Sequence, residues 1–200
     1  MLAEVPARQE ARARSGGLGR GELEAYLRLE GALAGAEVVL VTGPAKSRVA
    51  VGLATVATAG GRRAVLLEAD LAAPSVAAVL GLEPAPGLHE YLRGEVDEQG
   101  ALQSLILAGP ASARAKEPLA CIVAGEAGPP SLLDSERLRG AVEGLRASYD
   151  LLVIDGLPLD AELLGLVALA EVADASIACG PNRELRDQLP ISVTGLVAVA

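Results

Sequence analysis

Six short apolar runs, separated by stretches with a helical pattern, constrain the fold of this 200-residue chain more than any other feature. Apolar and polar residues do not alternate within the runs, which is typical of parallel strands covered by helices on both faces. The runs are residues 38–41, 64–67, 119–123, 151–154, 175–179 and 195–199. We therefore predict a single α/β domain over residues 21–200, with a doubly wound, mostly parallel sheet sandwiched by helices.

The intervening sequence predicts five helices, at residues 22–34, 44–59, 75–80, 135–147 and 159–169. Pro44 suits the first turn of its helix, and the pair Gly60 and Gly61 suits the end of the same helix. Residues 109–118 combine Pro, Ser, Lys and Arg with few apolar side chains, so we expect a surface loop there.

Charge and composition exclude several classes of partner. With 17 basic and 26 acidic side chains the net charge is −9, which argues against a surface that binds nucleic acid. Residues 1–20 are more basic and rich in Gly and Ala, and we predict a disordered lead-in there rather than a signal peptide. The most apolar tract, residues 161–179, is interrupted by three carboxylates and falls short of the roughly 18 apolar residues of a membrane span. We expect a cytoplasmic protein without direct membrane insertion.

The two cysteines and the single histidine offer little chemistry. Cys121 and Cys179 each lie in a predicted strand without a Cys or His at metal-ligand spacing, so we expect inert core thiols in a reducing compartment. His89 is the only histidine, so a Ser-His or Cys-His arrangement would have to use it, and we expect it on the surface.

The first candidate site is a glycine turn between a strand and a helix, where Gly43 is followed by Lys46 and Ser47. A phosphate-binding loop has the form G-x-x-x-x-G-K-[ST], and its backbone N–H groups need six residue steps to surround a phosphate. Gly43 reaches Lys46 in three steps, which span at most about 10 Å. Two interpretations stay open: Gly43 and Lys46 bind phosphate and Ser47 binds magnesium, or Lys46 and Ser47 are solvated residues of a first helical turn.

Carboxylates follow two further strands. Glu68 and Asp70 come after the second run, and Asp155 comes directly after the fourth. Because open parallel sheets bind ligands at the carboxyl ends of their strands, these groups are candidates for metal binding or catalysis. Asp70 could hold a metal or orient a nucleophile, or it could cap a turn, whereas Asp155 suits a magnesium ligand.

Two segments resemble a known family. Residues 68–97, EADLAAPSVAAVLGLEPAPGLHEYLRGEVD, are similar to the D-x-D-x-R-x-P...LG...GLS-x-x-L-x-G signature of bacterial tyrosine kinases of capsule and exopolysaccharide synthesis, relatives of the MinD/ParA ATPases. Residues 124–159 resemble the segment of that family that ends in YD-x-V-I-ID-T-P-P. Both matches keep their order and spacing, and the similarity extends over residues 22–200.

The resemblance implies a P-loop NTPase-like α/β domain that binds ATP and Mg²⁺ and phosphorylates tyrosines on a neighbouring protomer. It also implies a membrane polysaccharide co-polymerase as partner, a place at the inner membrane through that partner, and assembly into a homo-oligomer. By resemblance, Lys46 and Ser47 match the Walker A lysine and hydroxyl, Glu68 and Asp70 match the D-x-D carboxylates, and Asp155 matches the Walker B aspartate.

The chain departs from this pattern at several positions. The turn before Lys46 lacks three residues and its second glycine, and Ala72 replaces the arginine of the D-x-D segment. Leu27 and Glu30 stand where the resemblance places arginines that hold an oligomeric ring. We also expect the three tyrosines to pack in helices rather than form a phosphorylated cluster; they are Tyr26, Tyr91 and Tyr149.

These observations leave three hypotheses about function. The chain is a non-catalytic regulatory or scaffold module of exopolysaccharide biosynthesis or export, which needs no cofactor. Alternatively it is an active protein tyrosine kinase or MinD/ParA-like ATPase that uses ATP and Mg²⁺ through an atypical loop. An unrelated α/β binding module is the third.

Overall fold

The computed structural model describes residues 1–5, 18–107, 115, 117–133, 136–158, 163–180 and 191–199. Within these residues, eight strands form one sheet. They are β1 (Ala3–Val5), β2 (Val38–Thr42), β3 (Ala64–Glu68), β4 (Leu102–Leu105), β5 (Leu119–Ile122), β6 (Leu151–Asp155), β7 (Ala175–Gly180) and β8 (Gly195–Val199). All six predicted strands are present, and the predicted α/β fold is confirmed.

The strand order is β1-β8-β7-β2-β6-β3-β5-β4. Every neighbouring pair is parallel except β4 and β5, which run antiparallel at one edge. The fully buried strands β2, β3 and β6 occupy neighbouring central places in the sheet, which explains why they read as continuous apolar runs. Their carboxyl ends therefore meet at one edge of the sheet.

Helices cover both faces. They are α1 (Arg20–Ala32), α2 (Lys46–Ala59), α3 (Val76–Leu80), α4 (Leu88–Arg93), α5 (Glu98–Ala101), α6 (Glu136–Ser148) and α7 (Leu163–Val172), with a 3₁₀ turn at Pro130–Leu133. All five predicted helices are found, although residues 135 and 159–162 lie outside the described part of the chain, as does most of the predicted loop 109–118. The short helices α4 and α5 were not predicted.

The core is divided by the sheet into two layers. α1, α2 and α3 pack on one face, whereas α4, α6 and α7 pack on the other. Tyr26 of α1 is fully buried, and its ring lies so close to Gly52 of α2 that a Cβ atom there would come within 2.1 Å of a ring carbon. The Tyr26 hydroxyl donates to the Arg48 carbonyl at 3.1 Å, as expected of a packing tyrosine.

The prediction of a disordered lead-in over residues 1–20 is wrong for residues 3–5. These residues form β1, which pairs in parallel with β8, and Val5 is fully buried. This strand was not predicted because it is only three residues long and pairs with β8, which lies far from it in the sequence. Residues 6–17 lie outside the described part of the chain.

The prediction for the two cysteines is confirmed, whereas the prediction for the histidine is not. Cys121 and Cys179 are buried and free, and burial raises the pKa of each thiol to about 12, so both are the inert core thiols expected. His89 is less exposed than predicted: its side chain is 13% exposed, with Nδ1 3.4 Å from Glu90 Oε1. Within the described residues, the helices are too short or too polar to cross a bilayer.

Candidate functional site

The candidate site lies where β2, β3 and β6 end. Asp155 is the last residue of β6 and is paired in register with Val41 of β2 and Glu68 of β3. The structure brings Lys46, Ser47 and Asp70 to the same place, so four residues selected from the sequence lie within one contact network.

The turn after β2 depends on a glycine. Gly43 has φ +107°, and a Cβ atom at this position would lie 2.3 Å from the Cys179 carbonyl oxygen of the neighbouring strand β7. Any other residue would be strained and would also collide with backbone. The turn is thus pressed closely against the end of β7.

Few backbone N–H groups in this turn are left for an anion. Pro44 has none, the Ala45 N–H acts on the Cys179 thiol and lowers its pKa, and the Lys46 N–H donates to the Gly43 carbonyl at 3.1 Å. The last bond also explains why α2 begins at Lys46, with Ala45 as its N-cap, rather than at Pro44 as predicted. Pro44 belongs to the turn that precedes the helix.

Lys46 is paired with two carboxylates. Its Nζ lies 3.0 Å from Asp70 Oδ2 and 3.3 Å from Asp155 Oδ1, and its side chain is 9% exposed. The alternative in which Lys46 is a solvated first-turn residue is therefore wrong. One ammonium group serves two carboxylates in a buried place, so little of its charge is left for a further anion.

The carboxyl group of Asp155 has a raised pKa. It is fully buried, and burial raises its pKa to about 6, with the negative charge of Glu68 acting in the same direction. The positive charge of Lys46 and hydrogen bonds from Ser47 and Lys46 oppose this rise. Its Oδ2 has no hydrogen-bond partner among the described residues.

Asp70 and Ser47 also make local contacts. Asp70 Oδ1 accepts the Ala73 N–H at 3.1 Å, so this aspartate holds the turn after β3 while its other oxygen binds Lys46. Ser47 Oγ lies 3.2 Å from Ser75 Oγ and 3.5 Å from Lys46 Nζ. The interpretation of Asp70 as a turn residue thus describes part of its surroundings, whereas its role in holding a metal or orienting a nucleophile stays a prediction.

Glu68 has a role that the sequence did not reveal. Its fully buried carboxylate accepts the N–H groups of Ser75 at 2.5 Å, Val76 at 2.8 Å and Ala124 at 3.0 Å. Ser75, the N-cap of α3, makes no capping bond with its own side chain, and Glu68 replaces it. This carboxylate is engaged by backbone and is not directed at Lys46. A serine before a short apolar helix, with an acid at the preceding strand end, is the weak signal that was available.

The residues offer oxygen donors for magnesium but few N–H donors for a triphosphate. Asp155 Oδ2 and the Ser47 hydroxyl are oxygen donors of the kind that Mg²⁺ takes together with water and substrate phosphates. The part of the chain that the structure describes contains no group of three or more His, Cys, Asp or Glu residues placed to hold a metal. A phosphate cradle would also need the N–H groups that the turn uses internally.

Comparison with solved structures identifies the fold. The kinase domain of Escherichia coli tyrosine kinase ETK matches with a TM-score of 0.77 and 18% identity, over 99% of this chain and 90% of that one. The BceF tyrosine kinase domain matches with a TM-score of 0.72 and 24% identity, over 90% and 77%. MinD from Pyrococcus horikoshii, in complex with Mg-ADP, matches with a TM-score of 0.63 and 16% identity, over 81% and 69%.

The chain therefore has the P-loop NTPase-like α/β fold that bacterial tyrosine kinase domains share with MinD. This confirms, at the level of the fold, the resemblance identified from residues 68–97 and 124–159. No protein-family model matches the chain, and a search of curated proteins finds no match either.

Proposed function

We propose that this chain is a capsule-kinase-like domain that has lost phosphoryl transfer and acts as a regulatory or scaffold module in exopolysaccharide biosynthesis or export. The observation that carries the proposal is the state of Lys46, whose ammonium group is bound by both Asp70 and Asp155 behind a three-residue turn. The group that should meet the nucleotide is already neutralised.

The electrostatics of the site favour this proposal. A triphosphate would add several negative charges beside two buried carboxylates, and Lys46 would have to leave at least one of them to reach it. Phosphoryl transfer depends almost entirely on positioning and charge stabilisation, so a site whose turn leaves few amides for an anion and whose lysine is paired with two carboxylates lacks most of what the protein contributes.

The resemblance and the fold support a proposal for the partner and the location. ETK and BceF, whose domains share this fold, are tyrosine kinases. We propose a membrane polysaccharide co-polymerase or another export protein as the partner, which would place this chain at the inner surface of the membrane without insertion.

Oligomerisation through the predicted arginine positions has little support. Leu27 is 43% exposed, and Glu30 pairs with Arg62 of the same chain at 3.1 Å. The side chains at these two positions of α1 cannot supply the positive charge that the family's ring uses. A homo-oligomer of this chain would need other contacts.

A second candidate function rests on Asp155 and Ser47. The second oxygen of Asp155 is buried and has no partner within the described residues, and the Ser47 hydroxyl is one of the groups that act to lower the pKa of this aspartate. This pair would suit a magnesium ion that arrives with a nucleotide. The second candidate is thus an ATPase or protein tyrosine kinase whose turn opens when Mg-ATP binds.

Isothermal titration with Mg-ATP and Mg-ADP separates the two candidates. For the scaffold we expect no binding or millimolar binding. Micromolar binding that disappears in Lys46→Met would establish the nucleotide-binding candidate instead. Because Lys46→Met leaves two carboxylates unpaired, its folding is checked by circular dichroism, and Ser47→Ala serves as a second variant that keeps both ion pairs.

The partner class has a separate test. A module of polysaccharide export should be encoded beside glycosyltransferase, flippase or co-polymerase genes. A location beside division or partition genes would instead indicate a positioning factor of the MinD/ParA kind, and would contradict the proposed partner while leaving the nucleotide result unaffected.

A further inference from the structure

An open cleft of about 420 Å³ lies between α4 and α6, on the face of the sheet opposite α2. Its lining residues are Tyr91, Gly94, Val96, Arg137 and Gly140. Sites for small molecules usually have volumes of about 300–1,000 Å³ and combine apolar walls with a few placed polar groups. The cleft has this composition, and none of its residues belongs to the Lys46 network.

Arg137 is held in a defined position across the end of α4. Its Nη1 donates to the Leu92 carbonyl at 3.2 Å, one of the last carbonyls of that helix. The guanidinium lies over Gly94, where φ is +75° and a Cβ atom would come within 2.2 Å of Nη1. Gly94 therefore both ends the helix and leaves room for the guanidinium.

The charge of Arg137 has no carboxylate partner among the described residues. Six other arginines of the described residues do pair with a carboxylate, namely Arg48, Arg62, Arg63, Arg93, Arg139 and Arg146. In a chain of net charge −9, a guanidinium that lines a cleft and uses one of its five N–H donors on a backbone carbonyl keeps donors for an anion.

The rest of the cleft is apolar and open. Tyr91 and Val96 pack against the core and supply an aromatic and an aliphatic wall. Gly140 of α6 leaves the entrance free, since a Cβ atom there would meet nothing within 4 Å. A ligand that satisfies these walls and the guanidinium carries one anionic group on a ring or a short apolar body.

We propose that the cleft between α4 and α6 binds a small organic anion, with its carboxylate or phosphate group on Arg137 and its apolar part between Tyr91 and Val96. The site does not depend on the proposed function, because it uses none of the residues of the Lys46 turn. It gives the domain a ligand-binding place that remains available whether or not nucleotide binds.

The test is an NMR titration of the isotope-labelled full chain with phenyl phosphate and with benzoate, which distinguish the two anionic groups. Benzyl alcohol and inorganic phosphate serve as the neutral and the ring-free probe. We expect at least one aromatic anion to bind with a Kd below about 10 mM and to shift amides of residues 91–96 and 137–140. Benzyl alcohol and inorganic phosphate should bind at least tenfold more weakly.

Two variant pairs make the test specific. Arg137→Gln should weaken binding at least tenfold, whereas Arg139→Gln, which changes the arginine paired with Glu171 at 3.0 Å on the same helix, should not. Gly140→Leu should fill the cleft and abolish binding, whereas Gly31→Leu, at an equally open position of α1, should leave binding unchanged. Equal affinity in Arg137→Gln, shifts confined to other residues, or no binding of either aromatic anion would overturn the proposal.

Discussion

At the scale of single residues, Lys46 stabilises two buried carboxylates by forming an ion pair with each of them. Two carboxylates buried beside one another are unfavourable, and the ammonium group between them offsets part of that cost. Asp155 nevertheless keeps a raised pKa of about 6, because burial outweighs the attraction of Lys46. The cluster is thus incompletely neutralised when Asp155 is ionised.

This imbalance predicts a pH dependence that Asp155→Asn removes. Because the folded protein holds the Asp155 proton up to about pH 6 while the ordinary pKa is 3.8, the stability contributed by the protonated group is lost as pH rises through this window. Relative to the natural chain, we expect Asp155→Asn to gain about 2–3 kcal/mol in unfolding free energy between pH 4 and pH 7. Urea denaturation at several pH values measures the difference.

Asp174 provides a control of opposite sign. Burial acts to raise its pKa, but hydrogen bonds from the Val38 and Glu37 amides and from Arg146 prevail and lower it. The stability that the ionised Asp174 contributes is therefore lost as pH falls. The unfolding free energy of Asp174→Asn should accordingly decrease less at acidic pH than that of the natural chain. A difference between Asp155→Asn and the natural chain that does not change with pH would contradict the assignment of the raised pKa.

At the scale of elements, Glu68 connects three segments that are distant in sequence. It ends β3, and its carboxylate accepts backbone N–H groups from the start of α3 and from the residue two positions after β5. An aspartate is one methylene shorter, so the additional length lets this carboxylate reach the helix N-terminus. Glu68 is therefore a positioning residue for the loops around the site.

Replacing this acid should loosen those loops together. In Glu68→Gln one oxygen becomes an NH₂ group that cannot accept, so at least one of the three amides loses its partner. We expect a loss of about 1–3 kcal/mol in unfolding free energy and faster hydrogen exchange at Ser75, Val76 and Ala124. Glu126→Gln, at an exposed position nearby, should change neither quantity.

At the scale of the whole molecule, the sheet is completed by the two ends of the described chain. β1 lies at the edge beside β8, with Ala3 opposite Val197 and Val5 opposite Val199. Leu2 adds to this contact, because its side chain covers Gly195 so closely that a Cβ atom there would lie 2.4 Å from Leu2 Cγ. The first residues are thus part of the domain, contrary to the predicted boundary at residue 21.

Disruption of β1 should therefore destabilise the whole domain rather than a terminus alone. Val5→Asp places a carboxylate at a fully buried position, and detaching the strand forfeits the burial of a valine, about 2 kcal/mol. We expect a lower midpoint of thermal unfolding and faster amide exchange in β8. Glu4→Gln, at the exposed position of the same strand, is the matched control, and an equal effect of both variants would contradict the role of Val5.

The sequence predicted the strands that are buried along their whole length. β2, β3 and β6 are buried on both faces, so each of their residues is apolar until the terminal polar position, and the pattern alone locates them. β4 was missed because its residues are only partly buried, and α4 and α5 because they span less than two helical turns.

The candidate site, too, was predicted only in part. The sequence by itself determined that Lys46, Asp70 and Asp155 would gather at one edge of the sheet, because parallel strands deliver their carboxyl ends to one place. Only the tertiary structure decided that Lys46 is neutralised by Asp155, 109 residues away, and that Glu68 binds backbone instead of the site. Apolar periodicity is a local property of the chain and can be recognised from neighbouring residues. The partner of a buried charge depends instead on the precise distance between segments that are far apart in the sequence, and only the folded structure gives that distance.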